Sequence, residues 1–274
     1  MLRTRVITAL LLLAVLLPIL YFNYYPAFAV VSALFFAAAI WECARLFGGS
    51  GRSALVWGAA ALLLFVVLLY FGSGPNIRLL LALCVAIWCL RFLPSLALGL
   101  PALASVANRL VAGSYTIAIF GCFLAIIVLF QRSPMYLLSV LVIVWAADIG
   151  AYFAGKAFGR RKLAPSISSG KSWEGAIGGW LLVLLMLAGF SVTSALEETF
   201  PARLLAAWGW PAALAVMTLL VVASVAGDLF ESMLKRRAGF KDSSNLLPGH
   251  GGVLDRVDAL IPVLPLAALL SFWF

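Results

Sequence analysis

Charge is what this sequence has least of. Of its 274 residues, 11% are Asp, Glu, Lys or Arg, and 65% are hydrophobic. An average soluble domain carries about a quarter charged residues. So few charges cannot cover a water-facing surface, and a mean hydropathy of +1.13 excludes an ordinary soluble enzyme. Acid is scarcer than base, with ten carboxylates against nineteen cations and a single histidine. The four cysteines (Cys43, Cys84, Cys89, Cys122) lie in or beside apolar runs. Their spacing is neither that of metal ligands nor that of a secreted disulfide framework, and they read as small buried hydrophobes. Internal repeats, low-complexity tails and a soluble domain are all missing. The absence of inverted repeats and broken helices argues against an ion-coupled transporter.

Long apolar runs fill the chain instead. A span needs about 17–25 mainly apolar residues, and nine candidates qualify: 6–22, 27–41, 54–71, 77–93, 111–130, 135–153, 176–194, 211–227 and 259–273. The expected fold class is all-α, a polytopic membrane protein. The first run follows Arg3 and Arg5 like a signal peptide, but no small-residue cleavage site follows, so it reads as an uncleaved helix. The segment 94–108 carries two prolines and reads as a re-entrant or interfacial piece.

With the N-terminus cytoplasmic, sixteen of the nineteen cations fall on the inner side and three (Arg78, Arg132, Arg203) on the outer. This is the positive-inside pattern. The net charge of +9 is thus mainly a topology signal, aided by attraction to anionic head groups, and not a mark of nucleic-acid binding. Residues 1–110 are expected to serve packing, lipid access and subunit contact, a homodimer included. Residues 111–274 are expected to form the catalytic region, with cytoplasmic loops 156–175 and 228–258.

Half of the carboxylates and five cations crowd into 228–258, together with the lone His250. Ionisable groups survive near a bilayer when paired or functional, so this stretch is the first place to seek chemistry. Two further clusters precede it. Asp148 and Tyr152 are four apart on one helical face. Residues 159–175 combine Gly and Ser with Lys162, Ser168, Lys171, Ser172 and Glu174, donors suited to phosphate oxygens. Gly170-Lys171-Ser172 is not a P-loop, because Pro165 stands where that motif needs glycine.

In the third cluster Asp228 and Glu231 share a face, with Lys235 at i+4 from Glu231, and Asp255 and Asp258 share another. His250 sits in a glycine-rich turn, where a structural role competes with a catalytic one; Asp242 and Arg256 read as partners that orient others. Hard oxygen ligands from several elements suit Mg²⁺, which takes one or two carboxylates plus substrate phosphates. Carboxylates and basic glycine-containing loops on one face suggest metal-assisted phosphoryl or nucleotidyl transfer to a membrane lipid.

The stretch also resembles the signature of the phosphatidate cytidylyltransferases (CDP-diacylglycerol synthases). The match runs from Ser232, Lys235 and Arg236 through Lys241, Asp242, Ser244 and Leu247 to Pro248, His250, Gly251, Gly252, Asp255, Arg256 and Asp258. Asp148, Tyr152 and the segment 162–175 also look like the family, with Ser169 where many members have proline. The resemblance covers roughly residues 100–274. It implies condensation of CTP with phosphatidate, assisted by Mg²⁺ on Asp228, Asp255 and Asp258. Lys171, Lys235, Arg236, Lys241 and Arg256 would neutralise substrate charge, Gly251 and Gly252 would line the site, and Asp148 would serve a second cation or orient a base. It further implies a bacterial inner membrane with the site facing the cytoplasm. The nearest rival is a CTP-dependent polyprenol kinase, whose alcohol nucleophile would need His250 or Asp148 as base.

Overall fold

A computed structural model describes residues 2–72 and 74–274, with all their side chains except those of 2, 3, 5 and 194. Arg3 and Arg5, both counted in the charge asymmetry, therefore lie outside the described side chains. The elements run α1 (Leu2–Tyr21), α2 (Tyr25–Leu46), α3 (Gly51–Phe71), α4 (Gly74–Ile87), α5 (Leu93–Leu98), α6 (Val106–Arg132) and α7 (Pro134–Phe158). A hairpin follows, β1 (Lys162–Ala164) and β2 (Ser168–Ser172), then α8 (Trp173–Ser191), α9 (Phe200–Ala238), α10 (Leu254–Val257) and α11 (Leu260–Leu270). Seven helical stretches among the described residues are long and apolar enough to cross a membrane, and Val6–Tyr21 and Leu260–Trp273 are shorter apolar helices. The all-α polytopic reading stands.

Serines mark where the helices begin. Ser50, Ser105, Ser133 and Ser172 each accept a hydrogen bond from the backbone N–H three residues on, which satisfies a donor that the first helical turn leaves free. The centre of the bundle is α6, where Val111, Tyr115, Ala118 and Cys122 are fully buried. Aromatic rings lock its neighbours to it: Phe36 and Phe65 meet Phe120, and Phe92 and Phe230 meet Tyr115. Cys43, Cys84 and Cys122 are buried as expected, whereas Cys89 is exposed.

Three sequence expectations need correction. Residues 94–98 are helical, not re-entrant, because a π turn at Trp88–Phe92 joins α4 to α5. Pro94 falls at the start of α5, where a missing N–H does least harm, and the helix ends at Gly99 with φ +80. The segment 159–175 is not simply loop, since Lys162 pairs with Ser172 and Ala164 with Ser168 in an antiparallel hairpin. The eighth span does not stop at residue 227. Past a kink at Gly209 (φ +72) and Pro211, α9 continues to Ala238 and closes on left-handed Gly239. At 1.5 Å per residue those eleven further residues form a rod of about 16 Å that carries Asp228, Glu231 and Lys235.

Small residues bring α7 and α8 together. A Cβ on Gly150 would lie 2.8 Å from the Gly179 Cα, and one on Gly175 would lie 2.8 Å from the Ala151 carbonyl oxygen. Lipid offers no hydrophobic drive between helices, so such close backbone packing holds them. Gly179→Val should wedge the pair apart and lower stability by about 1–3 kcal/mol. Thermal unfolding in mild detergent should show a lower midpoint for Gly179→Val and no change for Gly189→Ala, whose position has open space around it.

Candidate functional site

The hairpin and α9 meet through one ion pair. Lys171, at the end of β2, places its Nζ 2.6 Å from Asp228 Oδ2, and Asp228 Oδ1 accepts from Ser232 at 3.2 Å. Both partners stay partly exposed, at 25% and 32%. They open onto a cavity of about 500 Å³ whose wall also includes Asp148, Tyr152, Lys156 and Ser172. Asp148, Tyr152 and Lys156 follow one another at four-residue spacing on α7 and present one polar stripe.

A second polar centre lies beside it. Lys235 forms ion pairs with fully buried Glu231 and with Asp255, the latter at 2.6 Å. The other Asp255 oxygen accepts from the Ser243 backbone N–H (2.9 Å), the Ser243 hydroxyl (2.9 Å) and the Gly252 backbone N–H (2.8 Å). Burial works to raise the Asp255 carboxyl, but Lys235 and the Gly252 N–H outweigh it and hold it below the usual carboxylate range. Gly251 has φ +82, and a Cβ there would come within 2.8 Å of Asp255 Oδ2, so the turn requires glycine.

The two centres are neighbours. Gly227, just before Asp228, packs so closely on the Asp258 carbonyl and Pro262 that a Cβ would overlap them. Burial, reinforced by the Asp228 charge, pushes the Asp258 carboxyl up to about 8. Asp148, Lys171, Asp228, Lys235, Asp255 and Asp258 thus form one electrostatic group, as the sequence led us to expect.

Other expected residues sit apart from the cavity. Glu174 accepts from the Arg160 and Arg161 backbone N–H groups at 3.1–3.2 Å, which fixes the turn into the hairpin. Lys162 is an exposed strand end, and Ser168 is half-buried at the start of β2. Arg236, Lys241, Asp242 and Arg256 are exposed. His250 is half-buried, and its Nδ1 is a buried atom without a hydrogen-bond partner among the described residues.

Among the described residues, no group of three or more His, Cys, Asp or Glu side chains forms a ready metal cage. A cation that brings its own waters and substrate phosphates needs only one or two carboxylates. Asp228 fits that need because it is partly exposed on the cavity, and its neighbour Asp258 could join only by giving up the proton that burial favours. Asp255 fits poorly as a direct ligand, because Lys235 and three other donors already occupy its oxygens.

One carboxylate of this region comes from a part of the chain that the motifs do not cover. Glu42 on α2 is fully buried and reaches into the 243–254 turn. Its signal was present, a lone acid inside an apolar helix, and the default for such a residue is function.

This geometry belongs to a membrane-embedded helical protein with a polar cavity lined by two acids and two lysines. The chain matches the model of the cytidylyltransferase family over residues 3–274. It is 38% identical to a phosphatidate cytidylyltransferase of Pseudomonas aeruginosa over 98% of this chain and 97% of that protein. A Haemophilus influenzae protein of the same name is 50% identical over half of this chain and 46% of its own length, and one from Bacillus subtilis 40% over 53% and 51%. The chain belongs to the cytidylyltransferase family, and the likeness extends through the N-terminal helices.

Lys235→Met should leave Glu231 and Asp255 buried without their cation. Breaking a buried pair by removing one partner costs about 3–5 kcal/mol. Denaturant titration of detergent-solubilised protein should show that loss, whereas Arg236→Met on the exposed side of the same helix should unfold like the parent protein.

Proposed function

We propose that this chain transfers the cytidylyl group of CTP to phosphatidate, releasing CDP-diacylglycerol and pyrophosphate at the cytoplasmic face of the membrane. The observation that carries the reading is the Lys171–Asp228 pair on a cavity that leads from polar to apolar ground. A phosphatidate oxygen attacks the α-phosphorus of CTP. The bond from that phosphorus to the bridging oxygen breaks, and pyrophosphate leaves. The attacking phosphate is already an anion at neutral pH, so no strong general base is required. The difficulty is bringing two anionic substrates together, and positioning with charge neutralisation meets it.

Lys171 and Lys156 reach the cavity and supply positive charge there. Asp228 and Asp258 would hold Mg²⁺, which when bound neutralises triphosphate charge and stabilises the leaving pyrophosphate. Lys235 holds Asp255, and Asp255 holds the turn that ends in Asp258. The exposed Arg236, Lys241 and Arg256 add positive charge that favours the approach of CTP from the water side.

The lipid half of the reading rests on continuity. Leu163, Ala176, Val221 and Val225 line the polar cavity and also an apolar groove between α8 and α9. Trp180, Thr218 and Val222 carry the groove on toward Leu184 and Leu214. From Val225 to Leu214 the track follows α9 for about 16 Å. An acyl chain laid there leaves its phosphate beside Lys171.

Purified protein given phosphatidate, Mg²⁺ and α-³²P-CTP should move label into the lipid and release unlabelled pyrophosphate. Asp228→Asn should lower kcat by on the order of 100-fold or more. Label left in water as CDP, with a polyprenol phosphorylated, would overturn the reading in favour of a kinase. Val222→Trp should fill the groove and lower kcat/KM for dioleoyl phosphatidate by about tenfold, the scale set by 1–3 kcal/mol of apolar contact, while sparing dihexanoyl phosphatidate. Equal loss on both lipids would place the acyl chains elsewhere.

A further inference from the structure

We infer that Glu42 is a positioning residue for the reaction, and that through it the N-terminal helices are part of the catalytic machinery. The inference rests on the functional reading above. Glu42 lies near the end of α2 with none of its surface exposed. Both of its oxygens are occupied by the distant turn. Oε1 accepts from the Ser244 hydroxyl and from the Val253 backbone N–H at 3.0 Å. Oε2 accepts from the Ser243 hydroxyl at 3.0 Å and from the Leu254 backbone N–H at 2.6 Å. All four partners are donors, and they come from both arms of the turn.

Two consequences follow from that geometry. Val253 and Leu254 immediately precede Asp255, so Glu42 fixes the backbone from which Asp255 reaches Lys235. The Ser243 hydroxyl stands between the two acids, 3.0 Å from Glu42 and 2.9 Å from Asp255, and the two share its single proton, so it joins the N-terminal helix to the ion-pair centre. Gly252 completes the fit. A Cβ there would overlap both the Ser243 hydroxyl and the Glu42 carboxylate, so this second glycine of the His-Gly-Gly turn answers to a residue more than two hundred positions away. Buried polar groups this well satisfied specify one arrangement, and a partner that cannot accept leaves donors stranded.

The test compares two substitutions with opposite strengths. Glu42→Gln keeps the shape but puts an NH₂ against N–H and O–H donors. Glu42→Asp keeps two accepting oxygens but is one methylene short. A positioning role predicts that kcat falls on the order of 100-fold in Glu42→Gln, the scale of a 1 Å misplacement, with a smaller fall in Glu42→Asp. KM for phosphatidate should stay near that of the parent, because the lipid cavity is lined by other residues. A packing role predicts the reverse order, with the isosteric Gln active and Asp impaired. That order, or two variants as active as the parent, overturns the inference. If Glu42→Gln does not fold, the double variant Ser243→Ala, Ser244→Ala removes the two hydroxyl donors and should lower kcat with unchanged KM for phosphatidate; full activity there overturns it equally. Trypsin cleavage at exposed Lys241 gives a readout independent of turnover, and should quicken in Glu42→Gln more than in Glu42→Asp. Parent protein that transfers no label from CTP would sink the functional reading, while the order of cleavage rates would still decide whether Glu42 holds the turn.

Discussion

The ammonium of Lys235 holds the polar half of this protein together. It sits between Glu231, which has no exposed surface, and Asp255, which is nearly as enclosed. Its removal would leave two buried carboxyl groups without a cation in an apolar bundle. Because Lys235 and Glu231 are one turn apart on α9, the helix presents cation and anion as a unit, and Asp255 docks onto that unit from the following turn. The remaining geometry follows from this docking: Asp255 gathers Ser243 and Gly252, Gly251 adopts a positive φ to make room, and Asp258 comes to rest beside Asp228.

Two kinds of packing hold the parts in register. On the membrane side, glycines and alanines let α7 and α8 approach at backbone distance, which sets Asp148 and the hairpin against α9. On the water side, hydrogen bonds replace apolar contact: Glu174 fixes the entry to the hairpin, and Glu42 fixes the exit of the 243–254 turn. Carboxylates suit both tasks because each offers two oxygens to several backbone donors at once.

The helical architecture was legible in the sequence because a bilayer demands long apolar runs and little else resembles them. The clustering of Asp148, Lys171 and Asp228 was legible too, because ionisable residues in such a chain stand out against their surroundings. The boundaries were not. Pro94 looked like an interruption, but a π turn absorbs it, and no composition signal reports that local change of hydrogen-bond ladder. The extension of α9 past residue 227 was legible in the helical spacing of Asp228, Glu231 and Lys235 but not in hydropathy, which ends a span where the apolar run ends. Glu42 was missed for a different reason. Its partners lie about 200 residues away, and spacing arguments work only within one element.

The charge balance of the site bears on what must enter it. Asp148 and Asp228 line the cavity together with Lys156 and Lys171, while Lys235 pairs with Glu231 and Asp255 in the neighbouring centre. Carboxyl and ammonium groups are equal in number on the cavity wall, and burial holds Asp258 behind them towards its neutral form. A wall so balanced has little net charge with which to attract or repel a triphosphate, so a phosphate must gain its place by exchanging one partner for another. Lys171 already balances Asp228 and can face an incoming phosphate only by loosening that pair. The Lys171–Asp228 pair is therefore the contact at which an anionic substrate would meet the protein's own charges, and the partial exposure of both partners leaves that pair within reach.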